Sequence, residues 1–507
     1  MTRRWSANEV IDAVTDAGSF TAWDDDVVSG DPLSFIDSRS YSDRLRDAAA
    51  DGATSEAVVT GTATIDGRDA VLAVGAFEFL AGTQGVAVGE RVCRAFERAA
   101  IRGLPVIGMP ASGGTRMQEG TLAFVQMLKI AATVAAYRRG GGRYVGWLRH
   151  PTTGGAFASW GSLAQVTWGQ PGALIGLTGP RVIEQLYGEA LPDHVQRAEH
   201  LRGHGVIDEV VGGDELAARL PALLDAVGSP PHGTVDPSDA ADTEATYRPL
   251  ASLDTSGTDA WVAVEASRIP ERPGVRALLD AAADSVVAVH GDGAGGRGDG
   301  CVTVVCTFRG TRVVLIGHDR PAGQRGASLD ATGYRSARHA MRLADELGLP
   351  LVTVVDTQGA AATAAAEEGG IAGEIAGCMA TMSGLSVPTV AVLLGEGSGG
   401  GAIAWLAADR VVAPEHAWLA PIAPEGASSI LFRTTDRAAD IARAQAVDTA
   451  SLRAIGLVDV IVDEHDGWIG DLADVVADQL TQLTAQPPDE RLAARYRRLR
   501  SLGSRPA

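Results

Sequence analysis

The sequence predicts an α/β protein of two tandem domains, each a parallel-rich sheet layered with helices. Three observations carry that prediction. The 507-residue chain repeats one long pattern of motifs in its two halves, a period far too long for a solenoid. Within each copy, short apolar runs alternate with helix-patterned stretches, the signature of parallel strands joined by helical crossovers. Hydrophobic residues reach 46% while aromatics are only 5%, so Ala, Val, Leu and Gly must fill the interior, which suits helices packed closely on strands.

Residues 1–55 contain the helix-patterned WSANEVIDAVTDAG and the charged SRSYSDRLRDA, and read as an extension packed on the first domain. The first domain, 56–227, opens with the strand-like GRDAVLAVGAFEF. A helix-patterned run ending RAAIRGLP follows, then the strand VIGMP and the polar loop Ala111–Gly114. Residues 228–250, rich in Pro, Asp, Ser and Thr with few apolar anchors, read as a linker. The second domain, 251–507, repeats the order as GTRVVLIGH, a run ending RLADELGLP, the strand LVTVV and the loop Asp356–Gly359. The runs VIGMP, YVGWL, LVTVV and TVAVLL are short and nearly continuous, as strands buried on both faces should be. Gly291–Gly300 reads as a mobile surface loop, because a strand follows it and no helix start does. The tail RLAARYRRLRSL is a basic helix, as readily a solvated surface element as a contact element.

A formal net charge of −20 argues against a nucleic-acid partner, since a phosphate backbone needs a basic footprint. No apolar run approaches the roughly 20 residues that span a bilayer, and the opening MTRRWSANEV lacks the apolar core of a secretory signal. The expectation is a cytoplasmic protein with no membrane partner. Cys93, Cys301, Cys306 and Cys378 are scattered and suggest neither a zinc site nor a disulfide framework. Lys129 is the only lysine, and its helix-patterned surroundings FVQMLKIAATV suggest a surface or snorkelling side chain.

The chemistry is expected at two glycine turns. Thr153-Gly154-Gly155-Ala156 in PTTGGAFAS is answered by Gly399-Gly400-Gly401-Ala402 in GEGSGGGAIAW, which aligns Gly154 and Gly155 with Gly400 and Gly401. A glycine pair between a buried strand and a helix permits positive φ and close approach of a ligand. The helix that starts there points unpaired N–H groups and its positive dipole end into the notch, where they can stabilise an oxyanion. A lone pair of this kind is as often a simple turn. Duplication, together with a polar loop before each turn, favours chemistry.

FEFLAGTQGVAVGERVCRAFERA, SGGTRMQEG, PTTGGAFASWG and GPRVIEQ resemble the β subunit of bacterial acetyl-CoA carboxylase carboxyltransferase. GYRSARHAMRLADELGLPLVTVVDTQGA, GEGSGGGAIA and APEGASSILF are similar to its α subunit. The chain thus resembles a β–α fusion, and the resemblance implies two tandem crotonase-like domains. It also implies a biotin-dependent carboxyltransferase that moves a carboxyl group from carboxybiotin to the α carbon of an acyl-CoA, with acetyl-CoA as the expected substrate. Charge then develops on the thioester oxygen and on the ureido oxygen of biotin, which Gly154 and Gly155 on one side and Gly400 and Gly401 on the other would hold. Arg116, matching the family's motif arginine, would grip the migrating carboxylate. Ser112, Gly113, Gly114 and Gly359 would shape the substrate channel, and Arg181 would meet CoA phosphate. The single lysine lies outside any biotinylation hairpin and no ATP-binding loop is present, so biotin carboxylase and the biotin carrier are expected on separate chains. A dimer in which the first domain of one copy meets the second domain of another, or a higher homo-oligomer, would bring the holes together.

The sequence departs from the family in three places. The four-cysteine zinc ribbon is lost, so no bound metal is expected. In the loop Asp356–Ile371, Gly369 replaces an arginine. The basic loop after GHD is thinned to Asp319-Arg320-Pro321 through Arg325. Two alternatives stay open at this point: a malonyl-thioester decarboxylase of the same fold, and a degenerate, non-catalytic assembly subunit.

Overall fold

A computed structural model describes residues 3–51, 54–229, 249–253, 259–321 and 324–504; most of the expected linker lies outside them. The first half forms a sheet of seven strands in spatial order Thr21–Trp23, Val58–Ile65, Arg68–Gly75, Val106–Met109, Tyr144–Leu148, Val166–Gly169 and Glu209–Val210. The second half builds its sheet in the same way, from Ala283–Ala288, Cys301–Phe308, Thr311–His318, Leu351–Thr357, Thr389–Ser398, Arg410–Pro414 and Val460–Val462, with Trp418–Ala420 added beside Thr389–Ser398. Each sheet starts as an antiparallel meander and continues parallel.

Local chemistry explains the matching elements. Asp66-Gly67 and Arg309-Gly310 close the two hairpins with both residues at positive φ, the backbone of a two-residue turn whose twist suits paired strands. The helices Val86–Arg102 and Ala331–Leu347 end at Gly103 and Gly348, with φ of +62° and +64°. Left-handed glycine stops a helix without a Cβ penalty, and the Leu-Pro that follows turns the chain into the next strand. That stop is the repeated GLP of the sequence.

The halves share one continuous apolar cluster. It includes Leu128, Ile130, Ala131 and Val134 from the helix Gln126–Arg139, and Ala372, Ile375, Ala376 and Met379 from the helix Ile371–Ser383. Cys301 packs against this cluster while Cys306 belongs to the cluster on the opposite face of its strand, and all four thiols are free. The opening extension is more than a cover for the first domain, because Phe35 and Tyr41 pack with Ala427 and Ile441 of the second half.

The basic tail is a docking element. In the helix Pro488–Arg500, Arg491, Arg495 and Arg500 are all buried. Arg500 pairs with Glu90 at 2.5 Å and Glu97 at 2.7 Å, while Arg495 grips Asp409 at 2.7 Å. Lys129, expected at the surface, is fully buried and donates to Glu90 at 2.8 Å. From Gln126 to Ala135 its helix is covered on every side, so the lysine could not snorkel and needed a carboxylate partner. Burial pushes the Glu90 carboxyl upward, but Arg500 and Lys129 outweigh it and hold the group far below the usual carboxylate range. Removing one member of such a buried cluster leaves charge uncompensated, which costs about 3–5 kcal/mol. Because Lys129 still faces Glu90, Arg500→Met should fall near the lower end. A thermal melt unchanged within about 0.5 kcal/mol would show that the tail contributes nothing to docking the halves.

Candidate active site

The two glycine turns have the same construction, one residue out of the register that the sequence suggests. The strand Thr152–Thr153 runs into the short helix Gly154–Phe157, and the strand Thr389–Ser398 into Gly399–Ile403. Gly154 has φ +60° and Gly399 φ +63°, so Gly154 corresponds to Gly399 and Gly155 to Gly400. Gly401 is therefore not an oxyanion residue by position. A Cβ there would stand 2.5 Å from the Tyr334 hydroxyl and 2.7 Å from the Ala360 nitrogen, which makes it a packing glycine behind the turn. Three successive glycines hide the register, because only backbone torsion distinguishes them.

The polar loops are duplicated to the atom. Ser112 Oγ accepts from the Gly114 N–H at 3.0 Å, and Thr357 Oγ1 accepts from the Gly359 N–H at 3.1 Å. Gly114 and Gly359 both lie in a region of positive φ, +115° and +128°, that side chains avoid. Ser112 itself is buried beneath the loop.

These pieces surround one cavity of about 390 Å³. Gly113, Gly114, Gly154 and Gly155 line it from the first half, Gly359, Gly399 and Gly400 from the second, with Leu177, Thr178, Val182, Ile422 and Ile430 as apolar wall. Both turns therefore open on one cavity lined by residues of a single chain. Among the lining residues the one ionic side chain is Arg325, whose Nε donates to buried Glu396 at 2.8 Å. Glu396 also meets Arg268 at 3.3 Å.

The family model for acetyl co-enzyme A carboxylase carboxyltransferase-like proteins matches residues 242–503. The whole chain is 44% identical, over 99% of both sequences, to a probable biotin-dependent acyl-coenzyme A carboxylase β3 subunit of Mycobacterium tuberculosis (strain ATCC 25618 / H37Rv). The chain belongs to the biotin-dependent acyl-CoA carboxylase carboxyltransferase family. It is also 38% identical, over 99% of its own length and 91% of the relative, to the acetyl-coenzyme A carboxylase carboxyl transferase subunits beta/alpha of Salinispora arenicola (strain CNS-205). A crystal structure of transcarboxylase 12S aligns at 22% identity and a TM-score of 0.38, covering 95% of this chain and 90% of that one.

Two residues of this carboxyltransferase differ from expectation. Arg116, expected to grip the migrating carboxylate, is fully buried, and every guanidinium N–H is engaged within the fold. It donates to Glu56 at 2.7 Å, Thr83 O at 2.7 Å, Ser29 Oγ at 2.6 Å, Thr83 Oγ1 at 3.2 Å and Glu119 at 3.3 Å. Against the upward push of burial, Arg116 holds the Glu56 carboxyl below its ordinary range. Its role is to tie the loop after Gly114 to the extension, and no donor remains for substrate. Arg181 is exposed in the helix Pro180–Tyr187; its neighbours Gly179 and Val182 line the cavity but Arg181 does not.

Two residues at or beside the cavity were given no role in the sequence reading. Arg325 lay in the stretch judged thinned of basic residues. Glu367, in the altered loop, accepts from the Leu177 N–H at 3.0 Å and Gln196 Nε2 at 2.7 Å, so the second half holds a cavity wall of the first. Burial pushes its carboxyl upward. The doublet Glu367-Glu368 was the available signal.

The two turn glycines should respond unequally to alanine. At Gly154 the positive φ is joined by a clash, since a Cβ would stand 2.9 Å from Gly114 Cα; at Gly399 the nearest atom is 3.5 Å away. Gly399→Ala is expected to lose about 1–2 kcal/mol, the cost of left-handed backbone alone. Gly154→Ala should lose more, and thermal unfolding of the pair would expose equal losses as a contradiction.

Proposed function

We propose that this carboxyltransferase moves a carboxyl group from carboxybiotin on a separate carrier protein to the α carbon of acetyl-CoA, giving malonyl-CoA. The single cavity lined by both glycine turns is the observation that supports it. The floor fits two flat, partly charged oxygens, because it is built of backbone. A Cβ at Gly155 would stand 2.8 Å from Thr115 Oγ1, and one at Gly400 3.3 Å from Ile375 Cδ1. Carboxybiotin, when bound, would supply the carboxyl group and then, at its freed nitrogen, a base for the α proton.

The chain's residues bind and polarise. N–H groups of the first helical turn have no partner within their helix; at Gly154 and Gly155 they would meet the thioester oxygen, and at Gly399 and Gly400 the ureido oxygen. Donors fixed in advance in a water-poor site stabilise developing charge without reorganisation. Ser112 and Thr357 pin the loops that carry Gly114 and Gly359, so each hole keeps its shape as substrate enters. Arg325, oriented by Glu396, replaces Arg116 as the residue we assign to the migrating carboxylate, and Arg181 is assigned to CoA phosphate. Biotin carboxylase and carrier would be separate cytoplasmic polypeptides.

Biotin-dependent decarboxylation of malonyl-CoA by the purified chain tests this reading. Arg325→Ala should lower kcat about 10- to 100-fold, as expected for one lost charged hydrogen bond of roughly 1.5–3 kcal/mol. Gly155→Val, which fills the cradle, should lower it at least about 100-fold. Equal rates in all three proteins, or turnover that ignores biotin, would overturn the proposal.

A further inference from the structure

We propose that His200, His204 and Glu368 bind a divalent transition-metal ion of the zinc class, bridging the two halves of the chain beside the cavity. His200 lies in the helix Ala198–Gly203 and His204 caps its end, whereas Glu368 closes the helix Ala364–Glu368 of the other half. Four residues apart on one helix, the two imidazoles share a face, the spacing that helical zinc motifs use.

The donor atoms already converge. His200 Nε2 is 2.8 Å from Glu368 Oε1, His204 Nε2 is 4.0 Å from the same oxygen, and all three donors lie within 4.8 Å of one another. Metal–ligand bonds of about 2.0–2.2 Å set tetrahedral ligands roughly 3.3–3.6 Å apart. The observed separations fall on either side of that value, so small side-chain rotations would close the set on an ion. The His204 tautomer is suitable as it stands, whereas His200 Nε2, which donates to the Glu368 carboxylate at 2.8 Å, would release that proton as the ion takes its place. His204 Nδ1 lies 2.9 Å from the His200 carbonyl, and a carbonyl only accepts, so Nδ1 carries the proton and Nε2 keeps its lone pair. A ligating imidazole with its other N–H on a backbone carbonyl is the usual outer-shell arrangement of a metal-bound histidine.

A fourth ligand is at hand. The His194 ring is 4.7 Å from that of His200, centroid to centroid, leaving water or this imidazole to complete the shell. Two or three imidazoles with one carboxylate favour zinc, nickel, cobalt or copper over magnesium and calcium, which prefer oxygen alone. The side chains of His200, Glu368 and His204 are 21%, 30% and 39% exposed, so an ion can enter from solvent.

The bridge would matter to the cavity because Glu368 follows Glu367, whose carboxylate holds the cavity-lining Leu177. An ion that fixes Glu368 to His200 would fix the segment on which that wall rests.

Titration calorimetry of untagged, chelator-stripped full chain with zinc chloride at neutral pH tests the site. One zinc per chain is expected, with magnesium unable to compete. Glu368→Gln should weaken binding at least about 10-fold, the lower end of what even an outer-shell change costs, and the double variant His200→Ala, His204→Ala should abolish it. Cobalt loading should give the strong visible bands of a tetrahedral centre in the parent and not in the double variant. Zinc should raise the melting temperature of the parent alone, while both proteins without metal unfold in one cooperative transition, which separates ligand loss from misfolding. Failure of the parent to bind zinc at micromolar concentration, or binding unchanged in the double variant, would overturn the proposal.

Discussion

The cavity exists because two helices from opposite halves pack in one dry layer. Gln126–Arg139 and Ile371–Ser383 contribute to a single buried cluster, largely through Ala, Ile, Leu and Met. Small side chains let backbones approach closely. A composition with few aromatics is thus a geometric requirement. Bulkier residues at this seam would push the sheets apart and separate the two glycine turns that line the cavity together. Apolar burial, at about 25 cal/mol per Å², supplies the attraction; small residues set the distance.

Duplication then supplies the same backbone device twice. Ser112 with Gly114 and Thr357 with Gly359 place a hydroxyl on an N–H two residues on, and each loop lies before a strand-to-helix turn that starts at positive φ. The copies diverge in their charged surroundings. Beside the first loop, Arg116 is locked to Glu56 and Glu119 out of reach of the cavity. Beside the second, Arg320 is locked to Asp356 at 2.8 Å, and Arg325 is left to line the cavity on the support of Glu396. Two similar backbone turns with one asymmetric cation suit the proposed reaction, whose two oxygen acceptors are alike while its migrating group is unique.

What could be read in the sequence was short in range. The strands VIGMP, YVGWL, LVTVV and TVAVLL lie where their apolar runs predict, and the repeated GLP stops are the left-handed helix ends at Gly103 and Gly348. The register of Gly399-Gly400-Gly401 was not legible, since identical residues differ there only in torsion. Nor was the fate of Arg116, whose partners Glu56 and Ser29 lie 60 and 87 residues away in sequence. Lys129 was misplaced for the same reason, because only the fold puts Glu90 beside it. Helical pattern reports one face of one helix and cannot reveal that every face is covered.

Charged groups in this core explain how a seam of interchangeable alanines finds one register. Burying an ion pair gains little net energy, because desolvation offsets attraction, but leaving one partner alone in the interior is severely unfavourable. Arg500 with Glu90 and Glu97 joins the end of the second half to a helix of the first. Tyr496 adds a 2.8 Å hydrogen bond to Glu97, and Glu367 reaches back to Leu177 from the other direction. A one-turn slip of the helical seam would preserve most apolar contact, since alanine replaces alanine, yet it would strand each of these charges. The apolar layer therefore makes association favourable, and the charges make alternative associations costly. The site needs both, because an oxyanion cradle displaced by even one ångström loses its alignment with the reacting atom.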